Sequence, residues 1–315
     1  MRPLLVFALA GIGLALSFAG APFDHVRGST WLAQEVTTAW GDSGVWAGDL
    51  ELDELRPRLD TVLYVEPGDV FVSETLRGTL IVRARGDEMR LSGDPDEIPV
   101  LVREGRRVQL QPRRGARDAD VVVELPSWMP VSIRSRDLDV SMTRNEAEIR
   151  IEVLSGDIRI DGVSGAVEAR TVNGEVEVRG TEGDLELSTA DGDVRVVGHR
   201  GLLRVESTDG DLTLRDIEGR DVAASTLDGD VEFEGAVTGN GSLELSAHDG
   251  DVMVGLPAAV QADVEVSTFH GEFTSDFRVQ AAGFRAGEPL RFQIGDGGAR
   301  IRLRSFDGDI SIHSR

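Results

Sequence analysis

Apolar and polar residues alternate along short stretches of this chain, and the stretches recur. The recurring unit reads apolar-x-apolar, then one or two of Ser, Thr, Ala or Arg, a spacer, Asp or a substitute, Gly, Asp or Glu, and apolar-x-apolar again. A period of two sends successive side chains to opposite faces of a strand, so each stretch predicts a β-strand with one buried face. Gly156, Gly174, Gly192 and Gly210 stand 18 residues apart; Gly229, Gly250 and Gly271 follow at 19, 21 and 21, and Gly308 closes the series after a longer insertion. An acid follows each of them: Asp157, Glu175, Asp193, Asp211, Asp230, Asp251, Glu272 and Asp309. LELSTADGDVRV and IRLRSFDGDISI show the unit plainly, and VSIRSRDLDVSM fits it with Leu138 where glycine is expected.

A second set of corners, Gly162/Gly165, Gly180/Gly183 and Gly198/Gly201, falls midway between these turns, so each unit of about 18 residues holds two strands and two corners. Alternation predicts an inward column of Ile158, Val176, Val194, Leu212, Val231 and Val252, with Ile160, Val178, Val196, Leu214, Phe233 and Val254 two places on. The opposite sheet supplies Val167/Ala169, Leu185/Leu187, Leu203/Val205 and Leu243/Leu245. One unit buries about four apolar side chains at roughly 1.5–3 kcal/mol each, while ordering its backbone costs on the order of 20–35 kcal/mol, so no unit folds alone. Stacking at roughly 4.8 Å supplies the missing hydrogen bonds and contacts. The pattern therefore predicts an all-β fold, a β-solenoid, right-handed by the general preference of parallel crossovers. A propeller is disfavoured because its blades repeat at roughly 40 residues or more.

Outside the regular stack, residues 143–271, the pattern changes. Residues 61–142 carry strand-like runs at uneven spacing (TVLYVEPGDVFVSE, GTLIVRARG, VQLQP, VVVELP) and predict a less regular β region continuous with the stack. Residues 272–315 hold the non-repeating EFTSDFRVQAAGFRAGEPL before returning to IRLRSFDGDISI, and read as a C-terminal repeat and cap. Residues 22–60, with Trp31, Trp40 and Trp46, lack alternation at least as far as residue 50 and read as a linker or N-terminal cap. Residues 1–21 look like a secretory signal peptide: Arg2, an apolar run from Leu4 to Phe18, then small residues. That run is shorter than the roughly 20 residues a bilayer span needs, so no membrane span is expected after cleavage; left uncleaved, it would tether the chain. The expected address is the periplasm, the cell surface or the medium.

Charge and composition then narrow the chemistry. Acids outnumber basic residues 56 to 33, a formal charge of −23 that repels phosphate backbones, so nucleic acid is not an expected partner. Every basic residue is arginine, which excludes Schiff-base lysines and a P-loop lysine. Cysteine is absent, which removes thiol catalysis, disulfides and thiolate metal sites.

The turns Thr189 to Asp193, Ser207 to Asp211 and Thr226 to Asp230, the stretch VVVELPSWMPVSIRS and the closing GDGGARIRLRSFDGDISI resemble the bacterial putative-adhesin family, exported β-strand-repeat proteins of unknown function. The resemblance spans roughly residues 60–315 and implies an exported solenoid without known catalytic residues. It brings over no ligand.

The turn acids are the first candidate site. In a stack, Asp157, Glu175, Asp193, Asp211, Asp230 and Asp251 form a column about 5 Å apart, where neighbouring full charges repel by roughly 3 kcal/mol at an effective dielectric near 20. They must face water, be paired or hold cations. Calcium on Asp191, Asp193, Asp209 and Asp211 is one reading. Ordinary turn chemistry, with glycine supplying positive φ and the acids solvated, is the other, and no cofactor is then needed. The outward positions Arg159, Glu177, Arg195, Thr213 and Glu232 predict a surface charge ladder, or alternatively a carbohydrate-binding face. A polysaccharide-cleaving β-helix, resembling lyases, would combine calcium-bound acids with a basic residue such as Arg195; a Ser/His/Asp triad is not indicated, since no Gly-x-Ser-x-Gly elbow occurs. Histidines 25, 199, 248, 270 and 313 lack metal-ligand spacing and are expected in solvated turns. The sequence thus points to a non-enzymatic structural or adhesive module of the envelope, with an unidentified protein or glycan as surface ligand.

Overall fold

A computed structural model describes residues 61–94, 97–113, 118–278 and 289–315, so the signal-peptide stretch, the tryptophan-bearing segment and His25 lie outside the described residues. The described residues form β-strands and no helix, and none of them belongs to a helix long and apolar enough to cross a membrane. The chain coils, each coil giving one strand to each of two sheets. On the first sheet Val140, Ile158, Val176, Val194, Leu212, Val231 and Val252 are successive parallel partners. On the second sheet the partners run Val131, Ile149, Val167, Leu185, Leu203, Val222 and Leu243.

The two corners differ. Strands such as Val176–Ser188 and Val194–Glu206, each 13 residues long, pass through the Gly-x-x-Gly corner without a break and contribute to both sheets. The Asp-Gly-Asp turn interrupts the strands. Residues 144, 162, 180, 198 and 216 share one left-handed corner position, glycine at three of them, Arg144 (φ 57°) and Asp216 (φ 54°) at the others. The extra residues of the 19- and 21-residue units are absorbed near this corner, as register shifts between Arg200 and Leu203, between Leu214 and Ile217, and between Gly219 and Asp221. A one-residue slip inside a strand would turn its apolar face outward, so insertions survive near the corner, outside the alternating columns of the two sheets.

Both sheets send their inward columns into one continuous core. Ile158, Val176, Val194, Leu212, Val231 and Val252 are buried, as are Ile160, Val178, Val196, Leu214, Phe233 and Val254. Val167, Leu185, Leu203 and Leu243 face them from the second sheet. Leu138 is buried inside the strand Val131–Thr143 and pairs with Gly78, so the coil that lacks the turn glycine passes this corner without a break in its strand.

At both ends the order of coils in space departs from their order in sequence. The segment Gly78–Ala84 lies between Val131–Thr143 and the later strand Ala119–Leu125. Val70–Glu74 likewise lies between Val131–Thr143 and Arg107–Gln111. At the other end Ala299–Asp307 is held between Val231–Asp249 and Ala262–His270, and Ile310–Ser314 between Val252–Leu256 and Phe273–Ser275. The final coil, read from sequence as terminal, is therefore internal, and the chain reaches the end of the stack before doubling back. Among the described residues antiparallel pairing finishes one sheet with Leu290–Ile294 at one end and both sheets with Thr61–Tyr64 and Val100–Glu104 at the other, while Phe273–Ser275 closes the remaining edge in parallel. Reversing direction at the last rungs is one way to avoid presenting a long parallel edge as a template for further pairing.

Glycine is required at the main turn on two counts. Gly210 has φ +145°, and a Cβ there would collide with the carbonyl of Gly192 in the neighbouring coil. Gly239 offers an internal comparison, with φ +63° and nothing within 4 Å of its Cβ position. Gly210→Ala is expected to lower unfolding free energy by about 3 kcal/mol, from backbone strain plus overpacking, and Gly239→Ala by roughly 1 kcal/mol; urea titration of both variants checks the contrast. Truncation before residue 299 should vacate an interior rung, lowering the melting midpoint by roughly 10 °C or more. A midpoint unchanged after that truncation would contradict the inserted position.

Candidate functional site

The Asp-Gly-Asp turn forms a stacked edge whose parts have separate tasks. Backbone hydrogen bonds run through it from coil to coil: Gly174 N–H donates to Asp191 O at 3.0 Å, Gly192 N–H to Asp209 O at 2.9 Å and Gly210 N–H to Asp228 O at 2.9 Å. The N–H after each glycine donates instead to a carboxylate one coil away. Asp157 N–H reaches Asp139 Oδ1 at 2.9 Å, Asp211 N–H reaches Asp193 Oδ1 at 2.9 Å, and Asp230 N–H reaches Asp211 Oδ1 at 2.8 Å. Asp251, Asp309 and Glu272 continue the row in spatial order, their N–H groups donating to Asp230, Asp251 and Asp309. Glu175 breaks it: among the described residues its longer side chain accepts no such bond. Before the turn, the Thr189 and Thr226 hydroxyls donate to the carbonyls of Gly174 and Gly210 at 3.4 and 3.2 Å, and Ser305 donates to Gly250 at 3.0 Å.

The column of second acids is thus part of the backbone ladder. Of the four acids suggested for calcium, Asp193 and Asp211 each commit one oxygen to an N–H. Asp191 and Asp209 are exposed and bridge each other through their backbones. Among the described residues no group of three or more His, Asp or Glu side chains is arranged to hold a metal.

Ion pairs cover the outer faces. Arg134 meets Glu152 at 2.7 Å and Arg150 meets Glu168 at 2.7 Å, each across one coil step. Arg159 pairs with Asp157, Arg179 with Glu177, and Arg215 with Glu232. Exposed pairs of this kind contribute roughly 0–1 kcal/mol each. Arg195 is exposed in the outward column between Glu177 and Thr213. A groove of about 910 Å³ lies elsewhere, on the second sheet near its C-terminal end, lined by Arg278, Arg291, Arg300 and Arg302 with Glu244, Asp263 and Glu265. Arg291 pairs with Glu265 at 3.1 Å and Arg302 with Glu244 at 3.4 Å; among the described residues Arg300 has no ion pair.

One histidine departs from the solvated-turn expectation. His199 is fully buried, in an inward corner column with Val163, Thr181 and Ile217. Its Nε2 lies 3.1 Å from the Leu202 carbonyl, which can only accept, so Nε2 carries the proton and Nδ1 accepts from the Thr181 hydroxyl at 2.9 Å. Burial lowers its pKa, opposed by the Leu202 bond and the Asp184 charge. His248, His270 and His313 are exposed, His313 lying 3.5 Å from Asp276.

The residue two places before each turn glycine, a spacer in the sequence pattern, is where the structure gathers exposed apolar surface. In spatial order these residues are Leu154, Val172, Ala190, Thr208, Leu227, His248, Phe306 and Phe269, one per coil. Leu227 is 56 % exposed, Phe306 46 % and Phe269 68 %. Their rings stack along the axis: His248 on Phe306 with centroids 4.8 Å apart at 16°, and Phe306 on Phe269 at 5.1 Å and 5°. His270 adds an edge contact to Phe269 at 4.6 Å. This contiguous exposed apolar surface makes the turn edge the candidate contact site. These residues share one position of the repeat in the sequence, and the inserted final coil puts Phe306 between the other two rings.

A stacked β-solenoid with one apolar edge is the class of protein these features define. The Toastrack DUF4097 family model matches residues 116–201 and again 199–313, more than half of the chain, and the chain belongs to that family. Solved structures of low similarity include a putative adhesin from Bacteroides fragilis, 11 % identical over 82 % of this chain and 96 % of the other, TM-score 0.42. A putative cell adhesion protein from Clostridium sporogenes is 10 % identical over 82 % and 100 %, TM-score 0.23. A putative lipid binding protein from Parabacteroides distasonis is 8 % identical over 82 % and 96 %, TM-score 0.32. No curated protein matches.

Because the folded pKa of His199 is depressed, the unfolded chain binds its proton first as pH falls, so stability present at neutral pH declines below about 6.5. Urea midpoints from pH 7.5 to 5 should show that decline, and His199→Val should flatten it. If calcium bound the turn acids, chelator would lower the melting midpoint, and Asp193→Asn with Asp211→Asn would remove the difference. With one oxygen of each acid tied to the backbone, equal midpoints with and without chelator are expected.

Proposed function

We propose that this chain is an exported, non-enzymatic binding module of the cell envelope that meets its partner along the exposed turn edge. The observation that carries this reading is the stack of His248, Phe306 and Phe269, left open to solvent at the end of an apolar column. The core has no need of these rings: the inward columns already fill it, and the turn acids and glycines are used in joining coil to coil. Family membership supports a module of this architecture, and the N-terminal sequence supports export.

A second reading, contact with an acidic glycan at the C-terminal groove, is favoured by Arg300, since a guanidinium without an ion pair matches carboxylate or phosphate geometry. Replacing Phe269 and Phe306 by Ser should weaken binding to isolated envelope material at least tenfold while leaving the melting midpoint within a few degrees. Arg300→Ala should leave that binding unchanged. The reverse result, sensitivity to Arg300 alone, would move the contact site to the groove. Binding assays on the two purified variants make the comparison.

A further inference from the structure

The way the edge is built restricts what it can bind, taking the turn edge as the contact face. An aromatic platform for sugars needs open ring faces. Here His248, Phe306 and Phe269 are spaced 4.8 and 5.1 Å apart at interplanar angles of 16° and 5°, so their faces are largely turned to one another and their edges to solvent. Ring edges carry the positive side of the quadrupole and pack against other aromatic rings, aliphatic groups and carbonyl oxygens.

Beside this column runs a second one, made of the first acid of each turn. Asp191, Asp209, Asp228, Asp249 and Asp307 lie one coil apart, all exposed. Among the described residues none of the five carries an ion pair. Arg134, Arg150 and Arg215 are paired on the sheet faces instead. Like charges about 5 Å apart repel by roughly 3 kcal/mol at an effective dielectric near 20 and less in water, so a cationic partner relieves repulsion already present. Anionic lipid and nucleic acid are repelled by the same column.

We propose that the turn edge is a docking site for a cationic, amphipathic segment of a partner protein. Its apolar side chains lie against the ring edges and Leu227, and its Arg or Lys side chains lie on the acid column. From Leu154 to Phe269 the edge is about 34 Å long at ~4.8 Å per coil, the reach of an extended segment of about ten residues.

The test uses the full chain and synthetic peptides of about ten residues, followed by fluorescence anisotropy. One peptide alternates Lys and Leu, a second Lys and Ser, a third Glu and Leu. The Lys-Leu peptide is expected to bind, the Lys-Ser peptide at least tenfold more weakly, and the Glu-Leu peptide not at all. Phe269→Ser with Phe306→Ser, which leaves net charge unchanged, should weaken the Lys-Leu peptide at least tenfold. Asp228→Asn, Asp249→Asn and Asp307→Asn together should weaken it and flatten its salt dependence. Equal binding of the Lys-Leu and Lys-Ser peptides, or no effect of the phenylalanine variant, would reduce the edge to a nonspecific acidic surface and overturn the proposal. If that variant loses envelope binding while no peptide binds, the edge remains the contact face and the cationic partner is refuted. If the variant changes neither, both readings fall.

Discussion

Each coil's backbone donors and acceptors find partners only in the coils on either side, and this dependence organises the rest of the molecule. A coil spends its residues on strands that cannot pair within themselves, so it exists as structure only when stacked in register. The corners must then stack as closely as the strands do. That is why the turn glycine meets the backbone of its neighbour, with no room for a Cβ at Gly192, Gly210 or Gly229. It is also why the acid after the glycine is more than a solubilising charge. Where glycine bends the chain away from the ladder, the carboxylate of the adjacent coil accepts the N–H that a carbonyl accepts elsewhere.

Once the corners are fixed, variation moves to positions that the ladder leaves free. Extra residues collect near the corner facing away from the Asp-Gly-Asp turn, where the register shifts without disturbing either inward column. The corner column can take a histidine, because Thr181 below and the Leu202 carbonyl satisfy both ring nitrogens. The residue two places before the turn glycine is free in a different way. Its side chain leaves the stack entirely, so it ranges from Ala190 to Phe269 without consequence for the core, and it is there that exposed apolar surface accumulates.

Much of the architecture was legible in the chain. The alternation of Val176, Val178, Leu185 and Leu187 with polar residues, repeated every 18 positions, located the core, and the glycine series located the turns. His199 departs from the solvated-turn expectation because its place in the column Val163, Thr181, Ile217, legible in the spacing of 18, outweighs its residue type. The aromatic edge is hard to see in the sequence for a related reason: a consensus hides the position that varies most.

By itself the sequence determined the period, the two faces of each strand and the residues that turn the chain, because these follow from local alternation and from conformations that glycine tolerates. Only the tertiary structure decided the order of the coils and the use of the acids. Nothing local distinguishes a final repeat that ends the stack from one inserted between Val252–Leu256 and Phe273–Ser275, since all present the same inward pattern and ladder groups. Which neighbour a coil receives is settled by long-range pairing, and with it which rings stack and which N–H each carboxylate accepts.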